Sequence, residues 1–478
     1  MGEPKEKENM EEYDFVVIGG GSAGYAAART AHENGLKTAV IDGAERLGGL
    51  CILRGCMPSK TLIESANRFR SIRRAKEFGL RADSIEVRPK EIVERQRKLI
   101  NEFASYRQEQ LEDGRFDLIR GTASFSGSHE MSVLPLEGGP EITVKFKTAC
   151  IATGSKVTRV PVPGLEETGY WTSNEILEAE VLPDSIVVLG GGAIALEMAC
   201  YLEGLGKEVT VIQRSDQLLT GTDSDVAKAL EDAIGSRDNL NIITGTSLEE
   251  VSLCDDGRKK VTFLHGSEEK VVFAHEIVQA LGRSPNNTTL NLDAAGIDLA
   301  KNGKHIQCDA EQRTSCDHIF AAGDSCGPLE VVHIAIDQGE IAANNAAVLL
   351  GKKGNLRSFE NRLKLLGIFT DPQVATVGLS ELDAANEGRK VKVASYPFDD
   401  HGKSMVMGET HGFVKLIADV ESQEIVGGAV VGPEAVDLIH EIVVAIFYRS
   451  KPEEFIKIPH YHPTLSEIWT YPAEDLLF

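Results

Sequence analysis

Two cysteines with four residues between them are the side chains of this sequence best placed for redox chemistry. Cys51 and Cys56 lie among glycines in residues 48–60, GGLCILRGCMPSK. Five residues of a regular α-helix rise about 7.5 Å, and a disulfide tolerates Cα atoms no more than about 7 Å apart, so a bridge requires a distorted first helical turn. A helix N-terminus and the cations of Arg54 or Lys60 would stabilise a thiolate there. The segment therefore predicts a reactive dithiol.

The same pair has two other interpretations, a set of unlinked core cysteines and half of a zinc site. The zinc interpretation requires a second Cys or His pair at finger-like spacing, which the sequence lacks. Eight cysteines in 478 residues do not indicate a disulfide scaffold, and a close pair in a reducing compartment is more typical of catalysis.

A glycine-rich turn between a strand and a helix precedes the dithiol. Residues 13–18 are apolar and β-prone, the sequence GGGSAG follows, and an alanine-rich helix comes next. In a dinucleotide site Gly19 permits the tight turn, Gly21 lets the backbone approach a pyrophosphate, and Gly24 packs the helix on the strand. The second strand ends in Asp42, where a carboxylate hydrogen-bonds a ribose. This region predicts a dinucleotide-binding unit.

The same strand, turn and helix recur later in the chain. The second turn contains Gly190 and Gly192, and its first glycine precedes Gln213 by 23 residues, the separation between Gly19 and Asp42. Two such units imply two nucleotide cofactors. The second copy ends in Gln213 and Arg214 and lacks the carboxylate, which favours a 2′-phosphate and hence NADPH. Arg214 as an ordinary surface residue is the other interpretation.

The segments around these units have their own patterns. Residues 60–112 have a helical rhythm, and residues 115–151 alternate like a small antiparallel sheet whose last strand leads to a turn at Gly154. Residues 240–282 are strand-rich and end at Gly282.

A late apolar strand, residues 318–322, ends in Asp324, and a helix begins near Val332. A carboxylate at the C-terminal end of such a strand lies where α/β sheets bind ligands. The surrounding cysteines and histidines allow a metal site or simple packing, and we favour packing; they are Cys308, Cys316, Cys326, His305 and His318.

After about residue 355, alternating strands and a helix at 433–448 predict a separate α+β domain. Near its end His462 precedes a proline and is followed five residues later by Glu467. This spacing suits an oriented acid–base pair, although an ordinary surface histidine is an equal alternative.

Charge and the N-terminal sequence restrict the partners. The formal net charge of -23 repels nucleic acid and anionic membranes at a distance, so we expect neither as a partner. Residues 1–10 lack the apolar core of a signal peptide and read as a solvated tail. No apolar run approaches the length of a membrane span. We expect a cytoplasmic protein.

Together these features resemble the FAD-dependent pyridine nucleotide–disulfide oxidoreductases of class I, the family of dihydrolipoyl dehydrogenase, glutathione reductase and mercuric reductase. The resemblance extends from Asp14 to Glu467. It rests on the two glycine motifs, the dithiol segment 48–60, Ala-Thr-Gly-Ser at 152–155, Glu197, Gly-Arg-Ser-Pro-Asn at 282–286, Ala-Gly-Asp at 322–324, Val-Gly-Leu-Ser-Glu at 377–381 and His-Tyr-His-Pro-Thr-Leu-Ser-Glu at 460–467.

The resemblance implies an α/β fold with two Rossmann-like dinucleotide-binding domains, for FAD and NAD(P), and a C-terminal α+β dimerisation domain. The implied boundaries are residues 1–157 and 286–355 for the FAD-binding domain, 158–285 for the NAD(P)-binding domain and 356–478 for the dimerisation domain of a homodimer.

The resemblance also implies roles around the dithiol. Cys51 would be the interchange thiol that attacks substrate, and Cys56 the thiol that lies against the flavin. Lys60 would lie near the flavin N5 and pair with Glu197.

His462, oriented by Glu467, would be the acid–base for the dithiol of the other subunit. The helix after Val332 would direct its N-terminus at the flavin. FAD would be bound by Gly19, Gly21, Gly24, Asp42 and Asp324, the nicotinamide nucleotide by Gly190, Gly192 and Arg214, with Gly154, Gly282 and Lys60 as further cofactor contacts.

The implied reaction passes electrons from NAD(P)H, with NADPH favoured, through FAD and the Cys51–Cys56 disulfide to a small disulfide or a lipoyl-bearing protein. In reverse this is dihydrolipoyl dehydrogenase chemistry, which the chain resembles most. Ile52-Leu53-Arg54 and Ala193 depart from the common residues and affect substrate choice. The alternatives are a mercuric reductase-like or other small-disulfide reductase, and a non-catalytic flavoprotein subunit of a multienzyme complex. Mercuric reductases add a C-terminal cysteine pair that this sequence lacks.

Overall fold

The computed structural model describes residues 11–477, which form two compact units. The first unit contains the described residues up to Pro58 with Arg95–Thr158 and Arg283–Glu360; the second contains Ser59–Glu94, Arg159–Gly282 and the described residues from Asn361 onward. The chain passes between the units close to the predicted boundaries at 157, 285 and 355, while the assignment of the four segments to domains stays a prediction. The predicted solvated tail, residues 1–10, lies outside the described residues.

The first unit is built on a mixed β-sheet. Its strands are Glu11–Ile18, Thr38–Asp42, Asp117–Gly127, Glu130–Pro135, Ile142–Ile151 and Ile319–Ala321, with a separate pair formed by Ser155–Val157 and Arg283–Pro285. Its helices are Ser22–Glu33, Gly49–Arg54, Leu292–Ala295 and Val332–Leu349. The helices Cys56–Arg73 and Pro89–Glu112 continue from one unit into the other.

Side chains of the first strand, Glu11–Ile18, alternate between the two faces of the sheet. Both faces of this strand are buried. Phe15 and Val17 pack with the helices Ser22–Glu33 and Val332–Leu349, while Val16 packs with the antiparallel part of the sheet. Parallel pairing with the strands on either side leaves the glycine turn at the carboxyl edge of the sheet, where α/β folds bind ligands.

The second unit contains a parallel sheet, an antiparallel meander and a larger antiparallel sheet. The strands are Ser185–Leu189, Glu208–Ile212, Leu240–Ile243, Thr246–Leu253, Lys259–His265, Glu268–Ala274, Glu276–Gln279, Leu365–Ile368, Gln373–Gly378, Val391–Pro397, Phe413–Asp419 and Ile425–Gly432. The helices are Leu165–Thr168, Ser173–Leu177, Ala193–Gly204, Ser224–Gly235, Glu381–Glu387, Gly402–Met407, Ala435–Leu438, His440–Phe447, Pro452–Phe455 and Thr470–Asp475.

These elements confirm the predicted α/β class and its repeated unit. The strands Ser185–Leu189 and Glu208–Ile212 begin and end where the sequence places them, with the helix Ala193–Gly204 between them. The predicted helix at residues 433–448 corresponds to two shorter helices, Ala435–Leu438 and His440–Phe447, which are separated by Ile439. Between residues 11 and 477 no helix is both long enough and apolar enough to cross a membrane.

A buried lysine joins three segments of the second unit. Lys415 is 1% exposed, and its ammonium lies 2.9 Å from Asp223, 2.8 Å from Asp225 and 2.9 Å from Glu381. Burial alone would lower the pKa of Lys415, but the three carboxylates raise it above its ordinary value. The cluster therefore keeps its cation charged at the pH of any ordinary assay.

Candidate active site and nucleotide sites

The dithiol segment is a helix that breaks and restarts between its two cysteines. The helix Gly49–Arg54 ends at Gly55, where φ is -128° and ψ is -120°, and a new helix begins at Cys56. A Cβ atom at Gly55 would lie 3.0 Å from the Cα atom of Cys51, so the chain folds back closely enough to exclude a side chain there. This geometry confirms the predicted distortion. Both cysteines are half-buried.

The dithiol segment begins directly on the first glycine turn. A Cβ atom at Gly49 would lie 2.6 Å from the Cα atom of Gly21, and Gly49 has a φ of +73°. Both observations require glycine at position 49. The redox pair and the first dinucleotide turn are consequently one contiguous structure in the first unit.

The first glycine turn fits a diphosphate. Gly19 has a φ of +104°, and a Cβ atom at Gly24 would lie 1.7 Å from the carbonyl oxygen of Gly19, which leaves room for neither side chain. Within residues 11–477 no side chain caps the helix that starts at Ser22, so its first N–H groups are available to an anion. Asp42 is buried at the end of the next strand and accepts the Gly20 N–H at 2.7 Å through Oδ2. Its carboxylate is thereby fixed beside the turn.

A second polar group of the first unit surrounds Asp324. Ser155 donates to Oδ2 of Asp324 at 2.6 Å, and the Nε–H of Arg283 donates to the Ser155 hydroxyl oxygen at 2.8 Å. Burial lowers the pKa of Arg283, although the charge of Asp324 opposes that effect. Gly154, with a φ of +67°, forms the turn just before Ser155. The sequence predicted Asp324 and Gly154 here; it gave no signal for Arg283 beyond the motif that contains it.

The second glycine turn repeats the first with one change. Gly190 has a φ of +115°, and a Cβ atom there would lie 2.6 Å from the carbonyl oxygen of Ala280, while Gly192 has open space beside it. A Cβ atom at Gly191 would lie 2.9 Å from the Gln213 side chain, just as one at the equivalent glycine of the first turn would lie 2.9 Å from a carboxylate oxygen of Asp42. Gln213 therefore has the position of the carboxylate.

Arg214, the next residue, is exposed, and within residues 11–477 it makes no hydrogen bond or ion pair. Gly282 has a φ of +111° and ends the segment that follows the strand Glu276–Gln279. In the second unit, therefore, Arg214 provides a cation at the surface and Gln213 provides an amide beside the turn.

Lys60 and Glu197 form an ion pair, as the resemblance implies. The ammonium donates to both carboxylate oxygens, at 2.9 and 2.7 Å, and Glu197 is 5% exposed. The backbone N–H of Phe369 also donates to Glu197 at 3.0 Å, and Lys60 lies over the Phe369 ring at 4.8 Å from its centroid. The lysine is therefore held in one place and is not a freely moving surface side chain.

The two histidines of the C-terminal motif have different environments. His460 is paired with Glu441 at 2.7 Å through Nε2, and 7% of its side chain is exposed. His462 is 79% exposed, and its Nδ1 lies 2.9 and 3.2 Å from the two carboxylate oxygens of Glu467. This leaves Nε2 of His462 as the outward-facing nitrogen of an oriented imidazole, the arrangement of a general acid–base.

The predicted cysteine and histidine group in the first unit packs against the core. Cys308, Cys316 and Cys326 lie against the same apolar cluster. The rings of His318 and His129 stack with centroids 3.8 Å apart, and burial lowers the pKa of His318. These contacts fit the packing interpretation for the three cysteines and His318, whereas His305 lies 3.3 Å from Glu330 through Nε2.

Sequence reasoning missed one histidine of the second unit. His401 is fully buried, and its Nε2 lies 3.6 Å from Glu467. Its position just after the strand Val391–Pro397 matches none of the motifs above, so only the folded chain brings it to the dyad.

Comparison with known proteins gives consistent matches along the chain. Residues 13–339 match the family model described as pyridine nucleotide-disulphide oxidoreductase, and residues 366–473 match the dimerisation domain of the same family. The chain is 34% identical to dihydrolipoyl dehydrogenase of Bacillus subtilis (strain 168), over 95% of this chain and 96% of the relative. It is 34% identical to mercuric reductase of Staphylococcus aureus, over 91% of this chain and 77% of the relative.

Solved structures agree with these matches. The crystal structure of LpdA from Mycobacterium tuberculosis has a TM-score of 0.86 at 27% identity, covering 97% of this chain and all of that one (100%). A Cu(II) complex of the HOCl-induced flavoprotein disulfide reductase RclA from Escherichia coli has a TM-score of 0.84 at 25% identity, covering 97% of this chain and 99% of that one.

Proposed function

This chain belongs to the class I pyridine nucleotide-disulphide oxidoreductases, and we propose that it transfers electrons between NAD(P)H and a small dithiol or disulfide, as dihydrolipoyl dehydrogenase does. It is an oxidoreductase of a family that uses FAD and a pyridine nucleotide. Its match to the dimerisation domain supports a homodimer. The observation that carries the proposal is the pair Cys51 and Cys56 at a helix break that begins on a dinucleotide turn.

The first unit is proposed to bind FAD and the second unit's glycine turn the nicotinamide nucleotide. The diphosphate of FAD would be held at Gly19, Gly21 and Gly24, its ribose at Asp42, and Asp324 would contact the isoalloxazine-bearing part of the molecule. When bound, the two groups supply hydride and electron-pair transfer. The proposed domains are residues 1–157 with 286–355, 158–285, and 356–478.

In the proposed reaction the substrate dithiol is oxidised and the Cys51–Cys56 disulfide is reduced. His462 takes a proton from the substrate thiol, and the resulting thiolate attacks Sγ of Cys51, which breaks the S–S bond and leaves Cys56 as a thiolate. The second substrate thiol then attacks the sulfur joined to Cys51 and passes its proton to the leaving Cys51, which forms the substrate disulfide and releases Cys51 as a thiol. One disulfide is consumed and one is formed.

We infer that NADPH is the preferred nucleotide. Gln213 offers no carboxylate to repel a 2′-phosphate, and Arg214 is exposed beside it. We also propose that His462 acts on the dithiol of the partner subunit, which the family resemblance implies. The ion pair between Lys60 and Glu197 supports a fixed position for the lysine, which the family resemblance implies is near the flavin.

The deciding experiment compares four reactions of the purified holoenzyme, each with both nucleotides. These are the oxidation of dihydrolipoamide and the reduction of glutathione disulfide, coenzyme A disulfide and Hg(II). We expect dihydrolipoamide to give the highest kcat/KM and Cys51→Ser to abolish that turnover. Faster Hg(II) reduction would support the mercuric reductase alternative.

A non-catalytic flavoprotein would be recognised by its spectrum. One equivalent of dithiothreitol, added anaerobically, should reduce the Cys51–Cys56 disulfide. The Cys56 thiolate should then give a long-wavelength charge-transfer band with the flavin. A spectrum without this band, together with no turnover of any of the four substrates, would contradict the proposed function.

A further inference from the structure

A buried histidine lies close to the Glu467 carboxylate, which also contacts His462. His401 has 0% exposure, and its Nε2 lies 3.6 Å from Oε1 of Glu467. Its Nδ1 is 2.8 Å from the hydroxyl oxygen of Ser404, which is also fully buried. In the described part of the chain Nε2 has no hydrogen-bond partner, so Glu467 is the acceptor it faces.

The surroundings of His401 favour one protonation state. Burial lowers the pKa of His401, while the charge of Glu467 opposes this effect and His462 adds to it. The aromatic rings of Phe398 and Tyr471 cover the imidazole edge-on, each with its centroid 6.5 Å away. His401 is therefore neutral at neutral pH.

A neutral imidazole carries a single N–H, and the Glu467 carboxylate opposite Nε2 can only accept, which favours the N–H on that nitrogen. When the Ser404 hydroxyl donates to Nδ1, the proton of His401 is on Nε2 and points towards Glu467. The separation of 3.6 Å is longer than a hydrogen bond, and such contacts in ligand-free enzymes often shorten when the site is engaged.

We propose that His401 is a positioning residue that donates from Nε2 to the Glu467 carboxylate and thereby fixes the group that orients His462. The carboxylate then lies between two imidazoles, one buried and structural, the other 79% exposed and reactive. This inference rests on the proposed function for the role of His462, but the placement of His401 does not depend on the substrate.

Removal of the donor has two expected consequences. The carboxylate of Glu467 loses one of the two groups that fix it, so the His462 ring is held less well and kcat falls. Without the His401 donor, the negative charge of Glu467 also interacts more strongly with His462, which favours the imidazolium form of that ring. The acid limb of the pH profile therefore moves to higher pH.

The test uses the holoenzyme with three single variants. His401→Phe removes the donor and keeps an aromatic ring, His401→Gln keeps an N–H donor at a similar reach, and Ser404→Ala removes the hydroxyl that donates to Nδ1. For His401→Phe we expect kcat for dihydrolipoamide oxidation to fall about 10-fold, the loss typical when a residue that orients a functional side chain is removed. The KM for the nucleotide should be unchanged. The acid limb should rise by about 0.5 pH unit, since a neutral donor shifts a pKa less than a full charge does.

The conservative variants decide whether the donor or the packing matters. His401→Gln should recover most of kcat and the wild-type acid limb, and Ser404→Ala should shift the limb in the same direction as His401→Phe. Should His401→Phe fail to fold, the Ser404→Ala shift and the Gln variant carry the test. A wild-type profile for Ser404→Ala and His401→Phe, or a Gln variant as impaired as the Phe variant, would overturn the proposal.

A second measurement separates this inference from the proposed function. Diethyl pyrocarbonate reacts with neutral imidazole, and peptide mass spectrometry quantifies its adduct at His462 as a function of pH. The midpoint for His462 should rise in His401→Phe and return in His401→Gln, even if the wild-type enzyme oxidises no dithiol. An unchanged midpoint would refute the link between His401 and His462, whereas absent turnover with a shifted midpoint would refute only the proposed function.

Discussion

The nucleotide preference is the property of this enzyme that two adjacent side chains most directly control. We predict that Gln213→Glu with Arg214→Leu shifts the enzyme from NADPH towards NADH. The reason is geometric, because Gln213 has the place beside Gly191 that Asp42 has beside its own glycine in the first unit. A carboxylate there accepts hydrogen bonds from an unmodified ribose and repels a 2′-phosphate.

The magnitude follows from the exposure of the two side chains. Arg214 is exposed, so its charge-assisted hydrogen bond to a phosphate falls near the low end of such bonds, about 1.5 kcal/mol. Gln213 is half-buried. A carboxylate there changes the preference by about 1 kcal/mol more, because it accepts a hydrogen bond from the ribose and repels the phosphate. A total of about 2–3 kcal/mol corresponds to roughly a 30- to 150-fold change in the ratio of the two kcat/KM values.

The assay is steady-state dithiol oxidation with NADP⁺ and with NAD⁺ at equal ionic strength, for wild type, the double variant and a control. Arg258→Leu is a matched control because Arg258 is an exposed arginine of the same unit, ion-paired with Asp256 at 2.8 Å and outside the glycine turn. The control should leave the ratio unchanged. A wild-type enzyme with clearly higher kcat/KM for NAD⁺ would refute the reasoning, as would a double variant with the wild-type ratio.

Three further predictions concern the thiols, the dimer and the second unit's core. Cys51→Ser should keep the thiolate–flavin absorbance band and lose turnover, whereas Cys56→Ser should lose the band; the reverse pattern in anaerobic spectra would exchange the two roles. A purified mixed dimer of a Cys51→Ser subunit and a His462→Ala subunit should turn over, because one of its two sites combines an intact dithiol with an intact histidine, and a mixed dimer no faster than the two mutant homodimers would contradict a site shared between subunits. Lys415→Met should destabilise the fold by about 3 kcal/mol, near the low end for a broken buried ion pair because two of its three carboxylate partners are about half exposed; a thermal midpoint no lower than that of the exposed-site control Lys228→Met would contradict this.

The parts of the fold that could be predicted are those where backbone geometry admits few residue types. At Gly24 a side chain would overlap the carbonyl oxygen of Gly19 at 1.7 Å, so the motif records a steric requirement and can be recognised in a single sequence. The second glycine turn has a similar steric requirement, so the sequence also predicts the strands on either side of it. Spacing also predicted that His462 and Glu467 are in reach, because five residues across a turn leave few alternatives.

The parts that could not be predicted depend on residues far apart in sequence. His401 reaches Glu467 across 66 residues, and one of the two aromatic rings that cover it, Tyr471, belongs to the C-terminal helix Thr470–Asp475. The residue type is common on surfaces and in cores alike, so nothing local distinguishes it.

The two glycine turns have the same backbone arrangement but differ in the side chain beside the second glycine. Each holds a side chain in the same place, below the second glycine, and in each a Cβ atom on that glycine would meet it at 2.9 Å. In the first turn the side chain is a carboxylate that accepts the N–H groups of Gly20 and Ala44 at 2.7 and 2.8 Å, so two backbone hydrogen bonds hold it in place. In the second it is an amide whose N–H groups face Gln217 and Thr220 at 3.4 and 3.3 Å. Because this amide is weakly held, we expect the exposed Arg214 to have the larger effect on the choice of nucleotide, and a change at these two adjacent positions to alter that choice.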